Sequence, residues 1–366
     1  MDFLSFIYYW CNEVILNTMR KISLSDFISY CRRHPGYWCR FLRDIIAVYV
    51  AKLKREPIVV VTTESEGLGG YLWIRNYYRV IKEHFSKRGC CIILLGMANW
   101  EEFVRTVDDE HLDIFRPFES CDSHKLVERL FFRLFRADYY IDFRTIYLAD
   151  IVRAKHKILG NGFQKDQCFY GEANDTTFMQ WMALPSDFHH TIPLHEVGAT
   201  WMHKPYVVLV EGGFTQGKLS DAQLQAITQH LLDKDYVVFF NGNISRLRSL
   251  LPEASHPSLI DGYQYPLHQY GTIVKGCCFV VTPNTLLYHY AIQLDKPCVV
   301  MSANEYLTVK LDKQDQVVLF DEALQEAYNN NTYKQYVPAQ HYKIAQIDIA
   351  RITRAIDECE TMLSKE

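Results

Sequence analysis

Two stretches of this chain are apolar without alternation, Ile58-Val-Val-Val-Thr62 and Tyr206-Val-Val-Leu-Val210. A strand of that kind needs cover on both faces, so each run predicts a buried parallel strand between layers of helix. A glycine-containing loop follows each run: Glu64-Ser-Glu-Gly-Leu-Gly-Gly70 after the first, Glu211-Gly-Gly-Phe-Thr-Gln-Gly-Lys218 after the second. A helical pattern comes next, over Tyr71 to Phe85 in the first case and behind a Ser220 or Asp221 cap in the second. Another strand then closes a βαβ unit, Cys91-Ile-Ile-Leu-Leu95 in one half and Tyr236-Val-Val-Phe-Phe240 in the other.

The alternation continues. Tyr139-Tyr-Ile-Asp142, Ser258-Leu-Ile260, Phe279-Val-Val281 and Cys298-Val-Val-Met301 read as further strands, and Ile344 to Leu363 as a long terminal helix. Residues 160–194, with several Gly, Pro, Asn and Asp, read as loops and short helices. A chain of 366 residues suits two domains. The expected organisation is a helical preface over 1–57, a Rossmann-like domain over 58–204, a second over 205–343 and a closing helix over 344–366. Strand C-termini of both sheets are expected to face a shared cleft.

The preface carries apolar residues at helical spacing (Phe3, Ile7, Trp10, Val14, Met19), a second helix start near Ser25 and a third helix from Tyr37 to Arg55, ended by Pro57. It holds nine Lys or Arg against five Asp or Glu, whereas the whole chain has a net charge of −4. A basic, aromatic-rich segment of this sort fits either an anionic membrane surface or an ordinary extension packed on the body. The charge balance argues against nucleic acid as a partner. No apolar run reaches the ~18–20 residues of a membrane span, and the start lacks the pattern of a signal peptide. Eleven scattered cysteines without paired CxxC motifs point to reduced thiols in a cytosolic protein and away from zinc. His189, His190, His195 and Glu196 do not have metal-ligand spacing, so no metal is expected. Asp138 and Asp142 mark strand ends.

The chemistry concentrates in Val281-Thr-Pro-Asn-Thr-Leu-Leu-Tyr-His289. A strand hands over to a helix there, with Asn284 or Thr285 as cap, and the first free N–H groups of such a helix favour an anion. His289 stands one turn in. Thr215 and Lys218, on the loop after the first strand of the same half, add a hydroxyl and an ammonium suited to a diphosphate leaving group. Glu64 and Glu66 lie at a strand end, where a carboxylate can act as base toward a sugar hydroxyl.

On these residues the second half resembles the heptosyltransferases of bacterial lipopolysaccharide synthesis, the family 9 glycosyltransferases of GT-B fold. Their Asp-Ser/Thr-Gly-Pro-x-His segment is matched in spacing by Asn284 to His289, with Ala291 and Pro297 following. Thr215 and Lys218 fit the family's loop residues, Gly242 its glycine after the next strand, and Gly69-Gly70 the place of its Gly-Asp pair. The resemblance spans about residues 58 to 360.

It implies inverting, metal-independent transfer of a sugar from a nucleotide donor, with no cofactor. Donor contacts fall to Thr215, Lys218, Gly242, Asn243, Asn284, Thr285 and His289, and acceptor contacts to Gly67, Gly69 and Gly70. The acceptor would be a glycan or lipid-linked glycan of lipopolysaccharide or capsule type, and the enzyme cytoplasmic or peripheral on the inner membrane. Gly70 replaces the family's aspartate and Asn284 its motif acid, so Glu66 or Glu64 is the expected base. The alternative is a catalytically silent relative that binds a nucleotide or sugar, or scaffolds partners. Gly70 and Asn284 favour that reading, while Lys218 and His289 oppose it.

Overall fold

The computed structural model describes residues 32, 35–62, 68–85, 87–97, 100–108, 111–118, 122–142, 152–159, 191–213, 217–302, 316–320 and 344–363. The helices expected before residue 32 lie outside that set. The chain divides into two units, Met1–Ser65 with Tyr78–Gln164 and Glu66–Tyr77 with Lys165–Glu366.

The first unit is built on β1 (Ile58–Thr62), β2 (Cys91–Met97), β3 (Ile114–Phe118), β4 (Ala137–Asp142) and β5 (Ala154–Leu159). They form one parallel sheet in the order β3-β2-β1-β4-β5. All five residues of β1 are buried, as a central strand covered on both faces requires. Helices α1 (Pro35–Leu53), α2 (Leu68–His84), α3 (Glu101–Asp108) and α4 (Asp122–Arg133) alternate with the strands, and the division between units falls within α2. Phe41, Ile45, Val48 and Ala51 recur at helical spacing on α1 and pack with Ile58, Val60, Phe131 and Phe135. That face of the preface is core.

A buried ion cluster ties α1 to this sheet. Arg116 on β3 is fully buried and donates to Glu128 of α4 (3.0 and 2.5 Å) and to Asp44 of α1 (2.9 Å). Its guanidinium lies over the rings of Phe131 and Tyr37, 4.5 and 5.3 Å from their centroids. The Tyr37 hydroxyl donates to Glu128.

The second unit holds β6 (Tyr206–Val210), β9 (Val237–Asn241), β10 (Leu259–Asp261), β11 (Val280–Pro283), β12 (Cys298–Ser302) and β13 (Gln316–Phe320), parallel in the order β10-β9-β6-β11-β12-β13. β7 (Gly212–Gly213) and β8 (Gly217–Lys218) form a small antiparallel hairpin directly after β6. The helices are α5 (Asp221–Leu232), α6 (Ile244–Ser249), α7 (Tyr270–Gly276), α8 (Leu286–Gln293) and α9 (Ile349–Leu363). Ser220 caps α5 in a full capping box with Gln223. The Gln223 amide also donates to the carbonyls of Ile344 and Ile347, which holds the approach to α9 against α5. The terminal helix expected from Ile344 therefore starts at Ile349, after a short 3-10 turn over Ile344–Gln346.

Both sheets reverse their strand order beside the first strand, at β1/β4 and at β6/β11. Ligands of open parallel sheets bind outside the strand C-termini at that reversal.

Candidate functional site

The β6/β11 reversal is the better described of the two. Val280 and Val281 pair with Val208 and Leu209, so the chain leaving β6 and the chain leaving β11 emerge as neighbours. The first brings Glu211 and Lys218, the second Asn284 and Thr285.

Glu211 is 4% exposed and organises the loops around it. One oxygen accepts from Arg246 of α6 (2.5 Å), the other from the backbone N–H of Asn243 (3.0 Å). Burial alone would raise its pKa, but the Asn243 N–H, Arg246 and Lys218 outweigh burial and hold the carboxyl below its usual range. Arg246 also bridges to Asp221 and donates to the Leu219 carbonyl. Gly242 fits because nothing larger would. A Cβ there would lie 2.5 Å from Glu211 Cβ and 2.6 Å from the Phe240 ring. Asn243 caps α6, its side chain accepting from the Arg246 N–H. Lys218 is different. Its side chain is 68% exposed, and its ammonium stands 3.6 Å from Glu211, whose closer partners are Arg246 and Asn243. Among the described residues it is a cation held by one loose contact.

On the β11 side, Thr285 occupies the N-cap of α8 but makes no side-chain cap bond. Its hydroxyl lies 2.9 Å from that of Thr282, at the end of β11. The capping role expected of Thr285 is therefore not what its side chain does. The first-turn N–H groups of α8 keep their dipole facing the reversal.

His289 lies one turn into α8, buried, and burial pushes its pKa down to about 3. The ring is neutral at physiological pH. It packs on Gly69: a methyl on that glycine would overlap the imidazole. Two predicted site residues, far apart in sequence, thus meet. Gly69 and Gly70 are not loop residues, as expected, but lie in the first turn of α2. Farther along α2, Asn76 donates to Gln293 at the end of α8 (3.2 Å) and accepts from the Thr191 N–H (2.9 Å).

Glu64, Glu66, Gly67 and Thr215 lie outside the described residues. Among the described residues no group of His, Cys, Asp and Glu is arranged to hold a metal. Glu211 and Arg246 were not singled out in the sequence. They are 35 positions apart, and no local pattern joins them. Asp138 is structural, as its position at a strand end predicts: it accepts from the Ile58 N–H and pairs with Lys155.

No protein-family model and no curated protein sequence matches the chain. Solved structures do. The family 9 glycosyl transferase of Veillonella parvula DSM 2008 superimposes with a TM-score of 0.54 at 12% identity, over 85% of this chain and 98% of that one. The ADP-heptose LPS heptosyltransferase II of E. coli gives 0.54 at 13%, over 84% and 99%. E. coli heptosyltransferase WaaC with ADP gives 0.54 at 11%, over 82% and 97%. The chain has the α/β fold of these family 9 glycosyltransferase structures, and at such identities the likeness is one of fold.

Proposed function

We propose that the chain is an inverting, metal-independent glycosyltransferase of GT-B type. It moves a sugar from a nucleotide-sugar donor to a bacterial surface-glycan acceptor of lipopolysaccharide or capsule type. The observation that carries this reading is that the chain leaving β6, with the exposed Lys218, and the chain leaving β11, with a helix start that the Thr285 side chain does not cap, emerge as neighbours at the reversal. The solved relatives of the same fold add support. Two of them are named as heptosyltransferases, and one was solved with ADP.

In this reading the N–H groups at the start of α8 and the Thr285 hydroxyl hold the diphosphate, and Thr215 adds a hydroxyl. Lys218 neutralises the charge that grows on the diphosphate as the anomeric bond breaks. Glu211 holds the Lys218 and Asn243 loops in register. His289, buried and neutral, shapes the floor beneath the helix start rather than adding charge. Glu66 or Glu64 takes the proton of the acceptor hydroxyl, and Gly67 and Gly70 border the acceptor, the space beside Gly69 being filled by the His289 imidazole. The enzyme works at the cytoplasmic face of the inner membrane as a peripheral protein. No helix among the described residues is long and apolar enough to cross a membrane.

Calorimetric titration with ADP, GDP, UDP, CMP and their common sugar conjugates tests the site. Selective binding of one nucleotide, weakened about tenfold or more by Lys218→Ala as a lost charge-assisted contact predicts, supports it. Absence of binding to every member overturns it. The second reading, a silent binder, is favoured by Gly70, which puts no side chain at the start of α2. It predicts nucleotide binding with no turnover of the sugar conjugate, whether or not acceptor is present.

A further inference from the structure

α1 has two apolar faces. The inner one packs on the first unit's sheet. The outer one is Leu42, Ile46, Val50 and Leu53, exposed by 40, 55, 43 and 85%. Their spacing draws one stripe along the helix. Seven large hydrophobic side chains are exposed among the described residues, and this stripe holds four of them, so the apolar surface is concentrated. A helix packed on a protein normally turns charge to water on its outer face. Here the exposed charges beside the stripe are Arg43 and Lys54, both basic, and the one acidic residue of α1, Asp44, is buried.

The stripe ends at Leu53, beside a cleft of about 630 Å³. Five cations line it: Lys52 and Arg55 from the end of α1, Arg88 from the turn before β2, Arg136 before β4 and Lys155 on β5. Two carboxylates accompany them. Asp138 is engaged by Lys155 and the Ile58 N–H, and Glu56 stands 3.9 Å from Lys54. Arg55, Arg88 and Arg136 have no carboxylate at ion-pair distance among the described residues. The cleft opens at the N-terminal ends of β1, β4 and β5, the edge opposite to that where ligands of parallel sheets bind. Nothing in the transferase reading uses it.

We infer that the outer face of α1 and the adjoining basic cleft form one docking surface for an anionic phospholipid bilayer. The stripe enters the boundary between headgroups and acyl chains, and the cleft receives a lipid phosphate. An apolar stripe bordered by cations is the pattern of a helix lying in a membrane interface. A nucleic acid would match the cations and leave Leu42, Ile46 and Leu53 in water. A second copy of the chain would set one cationic cleft beside another. The inference deepens the peripheral part of the proposed function and does not depend on sugar transfer.

The test is co-sedimentation of the full chain with vesicles of phosphatidylcholine alone or mixed with phosphatidylglycerol. Two paired variants are compared with the parent, Ile46→Gln/Leu53→Gln and Arg88→Glu/Arg136→Glu. The parent should prefer the anionic vesicles, more weakly as salt rises. Each pair should lower that affinity by about tenfold or more, since each basic residue and each buried apolar side chain contributes separately. Leu53→Gln alone, at the most exposed position of the stripe, should weaken binding with the melting temperature unchanged. Equal binding to both vesicle types, or variants that bind like the parent, overturn the inference. So does a stripe variant that changes only the oligomeric state, or a cleft that takes up inorganic phosphate while the protein ignores vesicles. Nucleotide titration of the same variants should match the parent, so failure here and failure of the transferase reading are told apart.

Discussion

The chain contains two carboxylate–arginine centres that use the same side-chain chemistry in opposite ways. Around Arg116, a guanidinium and two carboxylates are sealed: their side chains are 0, 1 and 3% exposed. Burial alone would lower the pKa of Arg116, yet Glu128, Tyr37 and Asp44 raise it above the ordinary arginine value. Around Glu211 the carboxylate is as deeply buried, but Arg246 is partly open and Lys218 reaches into water. The first centre joins α1 to β3 and α4, and its link to the surface is Arg43, which donates to Asp44 from the same helix. The second keeps a cation to spare, at the sheet edge where ligands bind. Burial of the partners separates a charge cluster that holds a fold from one that can take a ligand.

The comparison breaks most sharply at Arg116. Arg116→Met leaves Glu128 buried without its cation and Asp44 with Arg43 and the more distant Arg40, and breaking a buried pair costs about 3–5 kcal/mol. Urea denaturation should show the midpoint falling accordingly. The double variant Arg116→Met/Glu128→Gln should recover part of the loss. A single variant as stable as the parent would show that the sealed centre does not hold α1 in place.

His289 tests whether burial next to the open centre is also structural. Its pKa falls from 6.5 to about 3 on folding. Below pH 6.5 the unfolded chain therefore takes up a proton that the folded chain does not. Stability is full above about pH 6.5 and should fall toward pH 3, by roughly 1.4 kcal/mol per pH unit from this group. His289→Leu should flatten that slope in denaturation curves at stepped pH. An unchanged slope would mean that the ring is protonated in the fold. Gly69→Ala probes the same contact from the other side. Its methyl would overlap the imidazole, and overpacking of this kind costs about 1–3 kcal/mol. Gly69→Ala/His289→Ala should be more stable than the sum of the two single losses, because the overlap is gone.

How much of this was legible beforehand depended on distance along the chain. β1 and β6 announce themselves as apolar runs because both their faces are buried. The Ser220 cap is readable because its partner, Gln223, is three residues away. β3, with Arg116 and Pro117 in its middle, does not read as a strand. It is one only because it is an edge strand, where proline is tolerated, and because Asp44 and Glu128 come from elsewhere to neutralise the arginine. β5, Ala-Lys-His-Lys-Ile-Leu, is the opposite edge and mostly exposed, so it lacks the apolar signature. At the site, Lys218 and the β11-to-α8 junction were visible from loop chemistry. The Glu211–Arg246 pair and the Gly69–His289 contact were not, since each joins residues that only the fold makes neighbours. Thr285 takes the N-cap position that the sequence offered to it or to Asn284, but its hydroxyl meets Thr282, three positions earlier, and makes no cap bond.

The smallest expected effect is the most discriminating. Lys218→Ala removes an exposed side chain whose partner among the described residues, Glu211, keeps both Arg246 and the Asn243 N–H. Exposed ion pairs contribute about 0–1 kcal/mol, so stability should stay within roughly 0.5 kcal/mol of the parent. Nucleotide affinity is expected to drop all the same, because a cation facing a diphosphate acts on the ligand and not on the fold. Arg116→Met should do the reverse, costing stability without touching the nucleotide site directly. If Lys218→Ala instead destabilises the protein as much as a buried substitution, the Glu211 centre is a second structural clamp. The β6/β11 reversal would then have no spare cation to offer, and the sealed-versus-open distinction would fail in the place where the proposed function needs it.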